Sequence, residues 1–179
     1  MILSRRSALA TGAAGLVAAT TRTARADTPT IRIGVLTDLS GQYRDNSGPT
    51  TVLAAKQAVE DFNPSAHGFA VEIISADHQQ KPDIAVGVAR QWFDRDQVDA
   101  IADLNNTAIA LAVNGVAVEK NKALLISGAA SADITGKYCS PNLVHFSPDT
   151  WFDSHSTGGA IVKEGGKDWY LIVADYTFG

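Results

Sequence analysis

Two short segments of this chain place small hydrogen-bonding side chains at the start of expected helices. Asn105-Asn106-Thr107 and Ser127-Gly-Ala-Ala-Ser131 each follow an apolar run of strand character. In each, a hydroxyl or amide lies beside backbone N–H groups that have no partner inside their own helix. That arrangement binds anions, and a carboxylate is the obvious one. The same residues also suit ordinary helix N-caps, and the sequence alone leaves both readings open. Tyr43, in the polar stretch Thr37 to Gly48, and Tyr176 and Phe178, in the last turn of the chain, add aromatic surface.

Other chemistry has weaker support. Asp77-His78 is either an acid–base pair or a polar loop at a strand end. No G-x-G-x-x-G, P-loop or G-x-S-x-G occurs, so nucleotide binding and serine hydrolysis have no signature. His67, His78, His145 and His155 lack metal-ligand spacing, and no cofactor is expected. Cys139 is the single cysteine, so no intrachain disulfide forms, and nothing near it in sequence would activate the thiol.

Alternating strand-like and helical segments must position these residues. Strands are expected at 31–36, 70–75, 98–102, 123–126 and 143–146. Helices are expected at 48–62, where Val52, Ala55, Val59 and Phe62 form a stripe, from Pro82, and through Ile109, Ala112, Val113 and Val116. A further helix is expected at 151–163 and a further strand at 169–174. Strand–helix–strand repetition gives an α/β fold, a parallel sheet with helices on both faces. Ligands of such sheets bind outside the carboxyl ends of the strands. The run Tyr170 to Ala174 suits a parallel strand covered on both faces, and nothing follows to cover it. The expectation is therefore the first part of a larger protein, or a sheet that another chain completes.

The first residues read as an address. Arg5-Arg6, an Ala/Gly/Leu/Val stretch from Leu9 to Ala19 and the small-x-small site Ala24-Arg25-Ala26 form a signal peptide over 1–26 with a twin-arginine-like order. Its removal takes away four arginines and no acid, moving the formal net charge from −4 to −8. An acidic mature chain argues against nucleic acid or an anionic membrane as partner.

Several motifs together carry a family resemblance. They are Ile33-Gly-Val-Leu-Thr-Asp-Leu-Ser-Gly41, Ala54-Ala-Lys-Gln-Ala-Val-Glu-Asp61, Ser75-Ala-Asp-His-Gln-Gln-Lys-Pro-Asp83, Ala89-Arg-Gln-Trp-Phe93, Ala110-Leu-Ala-Val113, Ser127-Gly-Ala-Ala-Ser131 and Ala174-Asp-Tyr-Thr-Phe-Gly179. In this order and spacing the chain resembles the first half of periplasmic solute-binding proteins of ABC importers, of the branched-chain amino-acid (Leu/Ile/Val) type. The stretches Asp133 to Lys137 and Asp149 to Trp151 look like a subgroup whose ligands are often aromatic or other organic acids.

The resemblance implies a periplasmic binding protein-like fold of two α/β lobes closing on a ligand at their hinge. Residues 27–146 would be an incomplete N-terminal ligand-binding lobe, and 147–179 the hinge and the start of the second lobe. It implies a non-enzymatic periplasmic binding module, monomeric when full length, that captures a small carboxylate for a membrane permease. Asn106 stands where the family has a carboxylate-holding Ser, with Asn105 and Thr107 beside it. Ser131 matches a second carboxylate contact and Ala129 a backbone carbonyl contact. Tyr43, Tyr176 and Phe178 match aromatic positions around the ligand. The alternatives are a secreted α/β enzyme using Asp77-His78 or Asp103, and a truncated fragment without function.

Overall fold

The computed structural model describes residues 28–179; the expected signal peptide lies outside the described residues. Five parallel strands form one sheet in the order β2-β1-β3-β4-β5. They are β1 Thr30–Thr37, β2 Ala70–Asp77, β3 Ala100–Asp103, β4 Ala123–Ile126 and β5 Leu143–His145. Helices α1 Gly48–Phe62, α2 Pro82–Asp94 and α3 Thr107–Lys120 make the crossovers between the first four strands. The expected parallel α/β architecture is therefore present.

Local chemistry sets the ends of these helices. Asn63 and Asn121 adopt left-handed φ values of 52° and 50° after α1 and α3, and their N–H groups close the last turns. Pro82 opens α2, where its missing N–H leaves no orphan.

The core lies on one side of the sheet. Leu36, Ile101, Leu124 and Ile126 meet Ala85, Ala89 and Trp92 of α2 and Ile109, Ala110, Val113 and Ala117 of α3. α3 is apolar on most of its surface because it is buried there. On the other side α1 covers the sheet incompletely. Val52, Ala55 and Val59 are half-buried, whereas Phe62 is exposed, so the expected stripe is only partly used. An open apolar groove of about 480 Å³ remains there, lined in part by Ile33, Val35, Ile73, Ala102 and Leu125.

The C-terminal part departs from expectation. The helix expected at 151–163 is broken into α4 Thr150–Asp153, a π turn Ser154–Gly158 and α5 Gly159–Lys163. Gly158-Gly159 lies at the π–α junction, where two residues without side chains weaken helical packing. The strand expected at 169–174 does not form. Tyr170, Leu171 and Ile172 are 91%, 80% and 91% exposed. A strand needs a neighbour for its ladder, and none of the five described strands pairs with this segment.

The order β2-β1-β3 makes β1 and β3 neighbours although the chain leaves them towards opposite edges. That is the switch point at which a crevice opens outside the carboxyl ends. Close packing behind it depends on Gly34, where any Cβ would overlap the Trp92 ring. Gly34→Ala is expected to cost about 1–3 kcal/mol in urea denaturation, the range for forced overpacking. Unaltered stability would show that Trp92 yields freely.

Candidate functional site

The loop after β1 is built around one carboxylate. Asp38 is fully buried. Its Oδ1 accepts from the Gly41 and Ser40 amides at 2.6 and 3.3 Å, and its Oδ2 from the Tyr43 amide at 2.9 Å and Gln80 Nε2 at 2.8 Å. Gly41 is required because a Cβ there would press on that carboxylate. Asp77 braces the same loop, accepting from the Leu39 amide at 3.1 Å, the Gln79 amide at 2.8 Å and the Ser40 hydroxyl at 2.6 Å. Burial by itself would push both carboxyls up, but these donors together hold both below their ordinary value. Their contribution to stability is fully present above the unfolded value of about 4 and is lost as pH falls through the lower folded values.

The turn between β3 and α3 places the next residues. Asp103 and Leu104 take left-handed φ values of 82° and 58°. Two such residues in succession swing Asn105, Asn106 and Thr107 across the end of β1. The Asp103 carboxyl is buried and accepts from Ser127 Oγ at 3.2 Å, while its Oδ2 and the buried Thr37 hydroxyl have no partner. Burial pushes this carboxyl up, and the nearby Thr37 and Ser127 hydroxyls only partly offset it.

Asn105 and Asn106 have different surroundings. Asn106 caps α3, its Oδ1 accepting from the Ile109 amide at 3.2 Å and its Nδ2 donating to Gln80 Oε1 at 2.8 Å. Asn105 meets His78 Nε2 at 2.8 Å and donates to Ser47 Oγ. Asp77 and His78 take separate partners and do not form an acid–base pair.

A hollow of about 190 Å³ lies against these loops. It is lined by Tyr43, Asn46, Asn105 and Thr107, by Gly128, Ala129 and Ala130, and by Tyr176 and Phe178. Tyr43 and Tyr176 hydrogen-bond through their hydroxyls at 3.0 Å, and burial followed by this bond pushes the Tyr176 phenol up. The Thr107 hydroxyl is buried and has no partner.

Six of the expected residues therefore meet in one hollow: Tyr43, Asn105, Thr107, Ala129, Tyr176 and Phe178. Asn106 and Ser131 are outside its lining; the Ser131 hydroxyl accepts from the Asp133 amide as the cap of a short 3-10 turn. The Ala129 carbonyl, expected to face a ligand, lies 2.8 Å from His145 Nε2 and accepts from the Ser147 hydroxyl at 3.0 Å. Sequence reasoning missed Asp38, Gln80 and Ser47. Asp38-Leu-Ser-Gly41 does carry a readable signal, since Asp two and three residues before exposed amides forms an Asx turn.

Larger hollows lie elsewhere, but they lack converging polar groups on an apolar wall. The apolar groove beside α1 is almost without polar surface, and a hollow of about 390 Å³ at the other end of the sheet is a charged rim of Arg32, Asp99 and Lys122. Chemistry favours the smaller hollow at the switch point. Among the described residues no group of His, Cys, Asp and Glu is arranged to hold a metal ion.

Residues 30–179 match the family of periplasmic binding proteins. A periplasmic binding protein from Burkholderia mallei shares 43% identity and superposes with a TM-score of 0.80, covering 84% of this chain and 40% of that one. A branched chain amino acid ABC transporter periplasmic ligand-binding protein from Burkholderia xenovorans LB400 shares 38% identity at a TM-score of 0.75, covering 83% and 40%. An ABC transporter solute-binding protein from R. palustris, solved in complex with 4-hydroxybenzoate, shares 26% identity at a TM-score of 0.76, covering 84% and 40%. The chain thus spans about 40% of the length of these relatives. Among curated proteins no match is found.

The strained, buried Asp103 yields a stability test. Asn tolerates left-handed backbone better than most residues, removes the buried acid and supplies a donor towards the unpartnered Thr37 hydroxyl. Asp103→Asn is expected to match or exceed the wild type in stability at pH 7. Because burial raises the folded carboxyl value, the wild type is penalised progressively as pH rises from about 4, so the advantage of the variant should shrink in acid. Denaturation at both pH values checks this, and a loss of more than about 1 kcal/mol at pH 7 would contradict it.

Proposed function

The chain belongs to the periplasmic binding protein family, and from that premise we propose that it captures a small carboxylate in the periplasm for an ABC importer. In this reading residues 1–26 direct export and are removed, and 147–179 form the hinge and the start of a second lobe. A membrane permease receives the ligand. The ligand is bound and released without being transformed.

The observation that carries the reading is the polar character of the hollow. The polar side-chain groups lining it are hydroxyls and amides, and no acidic or basic side chain lines it. Thr107 opens α3, so its unpartnered hydroxyl lies beside amide N–H groups at the positive end of a helix. Donors concentrated at a helix start suit a carboxylate. An ammonium would find no acidic partner among the described lining residues. Asn106 contributes as the cap of α3, and Ser131 caps the separate 3-10 turn Ala132–Ile134.

An aromatic ring is the best fit for the rest of the ligand. A cavity of about 150 Å³ holds a benzene ring, and this hollow is about 190 Å³ with Tyr43, Tyr176 and Phe178 on its walls. The R. palustris relative solved with 4-hydroxybenzoate supports this class.

Calorimetric titration with 4-hydroxybenzoate, benzoate and leucine tests the reading. Both ring acids are expected to bind more tightly than leucine. Thr107→Val should weaken the ring acids by about 1–3 kcal/mol, the cost of losing a donor to a charged acceptor. It should leave the ligand-free protein as stable as before, because the hydroxyl has no partner to lose. Leucine binding in preference to the ring acids, or an unaffected Thr107→Val, would overturn the assignment.

A further inference from the structure

We propose that His78, which does not line the hollow, is a positioning residue: it fixes the Asn105 amide so that its NH₂ group, and not its carbonyl, is free for the ligand. The inference rests on the carboxylate reading above and adds a determinant of specificity to the same site.

Gln79 and Gln80 both take left-handed φ values, 51° and 55°. This reversal brings the Gln80 amide back to His78, where its N–H donates to Nδ1 at 3.2 Å. A backbone N–H is always a donor, so Nδ1 must be bare, and a neutral imidazole then carries its proton on Nε2. Nε2 lies 2.8 Å from Asn105 Oδ1, which therefore accepts. With its carbonyl committed, the Asn105 amide turns its nitrogen the other way, where one N–H donates to Ser47 Oγ and the second remains uncommitted. His78 is fully buried, and Ser47 and Asn105 are buried around it. The chain of bonds reaches from the residue after β2, past the loop that follows β1, to the second residue after β3.

The direction of this relay matters for what binds. An Asn amide presents a donor or an acceptor depending on a half-turn that costs little in isolation. Facing a carboxylate, the donor attracts and the carbonyl oxygen repels. With the unpartnered Thr107 hydroxyl, it makes a pair of donors on one wall. A ligand bearing a neutral amide in place of its carboxylate meets the same donors with less charge to satisfy them, so the relay selects for the acid. Gly128 completes the arrangement, since a Cβ there would press on the Cα and Cβ of Asn105. Asp38, Asp77 and Asp103 are the charged groups around His78, and burial nevertheless holds its imidazole below the ordinary histidine value, consistent with the neutral form that the bonding requires.

The test has two arms. In the protein without ligand, ¹⁵N NMR of the His78 ring should show Nε2 protonated and Nδ1 bare; the opposite tautomer, or an imidazolium at pH 7, would overturn the proposal whatever the ligand is. In the second arm 4-hydroxybenzoate is the probe. His78→Leu should weaken it by about tenfold or more, the equivalent of one hydrogen bond to a charged acceptor. His78→Gln, which can place an NH₂ near the Nε2 position, should retain most of the affinity. Asn105→Ala should lose as much as His78→Leu, and the double variant should bind no worse than Asn105→Ala alone. If the two losses multiply, His78 does not act through Asn105 and the proposal fails. Should His78→Leu not fold, Ser47→Ala replaces it in the cycle, with the same expected lack of further loss in the Asn105→Ala background. A wild type that binds no carboxylate would defeat the functional reading, and the tautomer arm would then decide the positioning role by itself.

Discussion

Loops at the end of a parallel sheet have no ladder to satisfy their amides, and here one buried carboxylate supplies the acceptors. Asp38 takes hydrogen bonds from three backbone amides of its own loop and from the Gln80 side chain. Bonds to a charged acceptor are worth about 1.5–3 kcal/mol each, enough in combination to offset the cost of burying the charge. The position of Tyr43 follows from this anchor, because its own amide is one of the four donors. Gln80 extends the anchor to the α3 cap through Asn106. A single acid thus ties together the loops after β1 and β2 and the start of α3, and the hollow is the space these loops leave.

In the proposed reading the hollow binds its ligand without transforming it. Its polar groups are poised to donate, its walls are aromatic, and the Asp77-His78 pair and Asp103, which the sequence suggests as catalytic alternatives, take structural partners. Asp77 holds amides, His78 orients an asparagine, and Asp103 is buried beside Ser127. The hydroxyl bond between Tyr43 and Tyr176 joins the loop after β1 to the last turn of the chain, so part of the lining of the hollow comes from the segment that follows β5.

Much of the architecture was legible in the sequence because it rests on local signals. Helical spacing, Pro82 and Asn63-Pro64 located α1 and α2, and short apolar runs located the five strands. The strand expected at 169–174 was not, since a strand depends on a partner that periodicity does not reveal. The site was legible at the level of segments and less so at the level of atoms. Asn105 and Asn106 are adjacent and chemically identical, and only the left-handed turn at Asp103 and Leu104 decides which one faces the hollow and which caps the helix. The pairing of Tyr43 with Tyr176 crosses most of the chain, and no spacing rule reaches that far. Asp38 was readable as an Asx turn, but its bond to Gln80 required the fold.

In the proposed reading a donor-lined wall at the start of α3 holds a carboxylate. A crystal structure with 4-hydroxybenzoate bound tests it most directly. Carboxylate oxygens are expected within about 2.7–3.2 Å of Thr107 Oγ1 and Asn105 Nδ2, with the ring among Tyr43, Tyr176 and Phe178. A carboxylate that points away from α3, or a ligand seated in another hollow of the molecule, would contradict it.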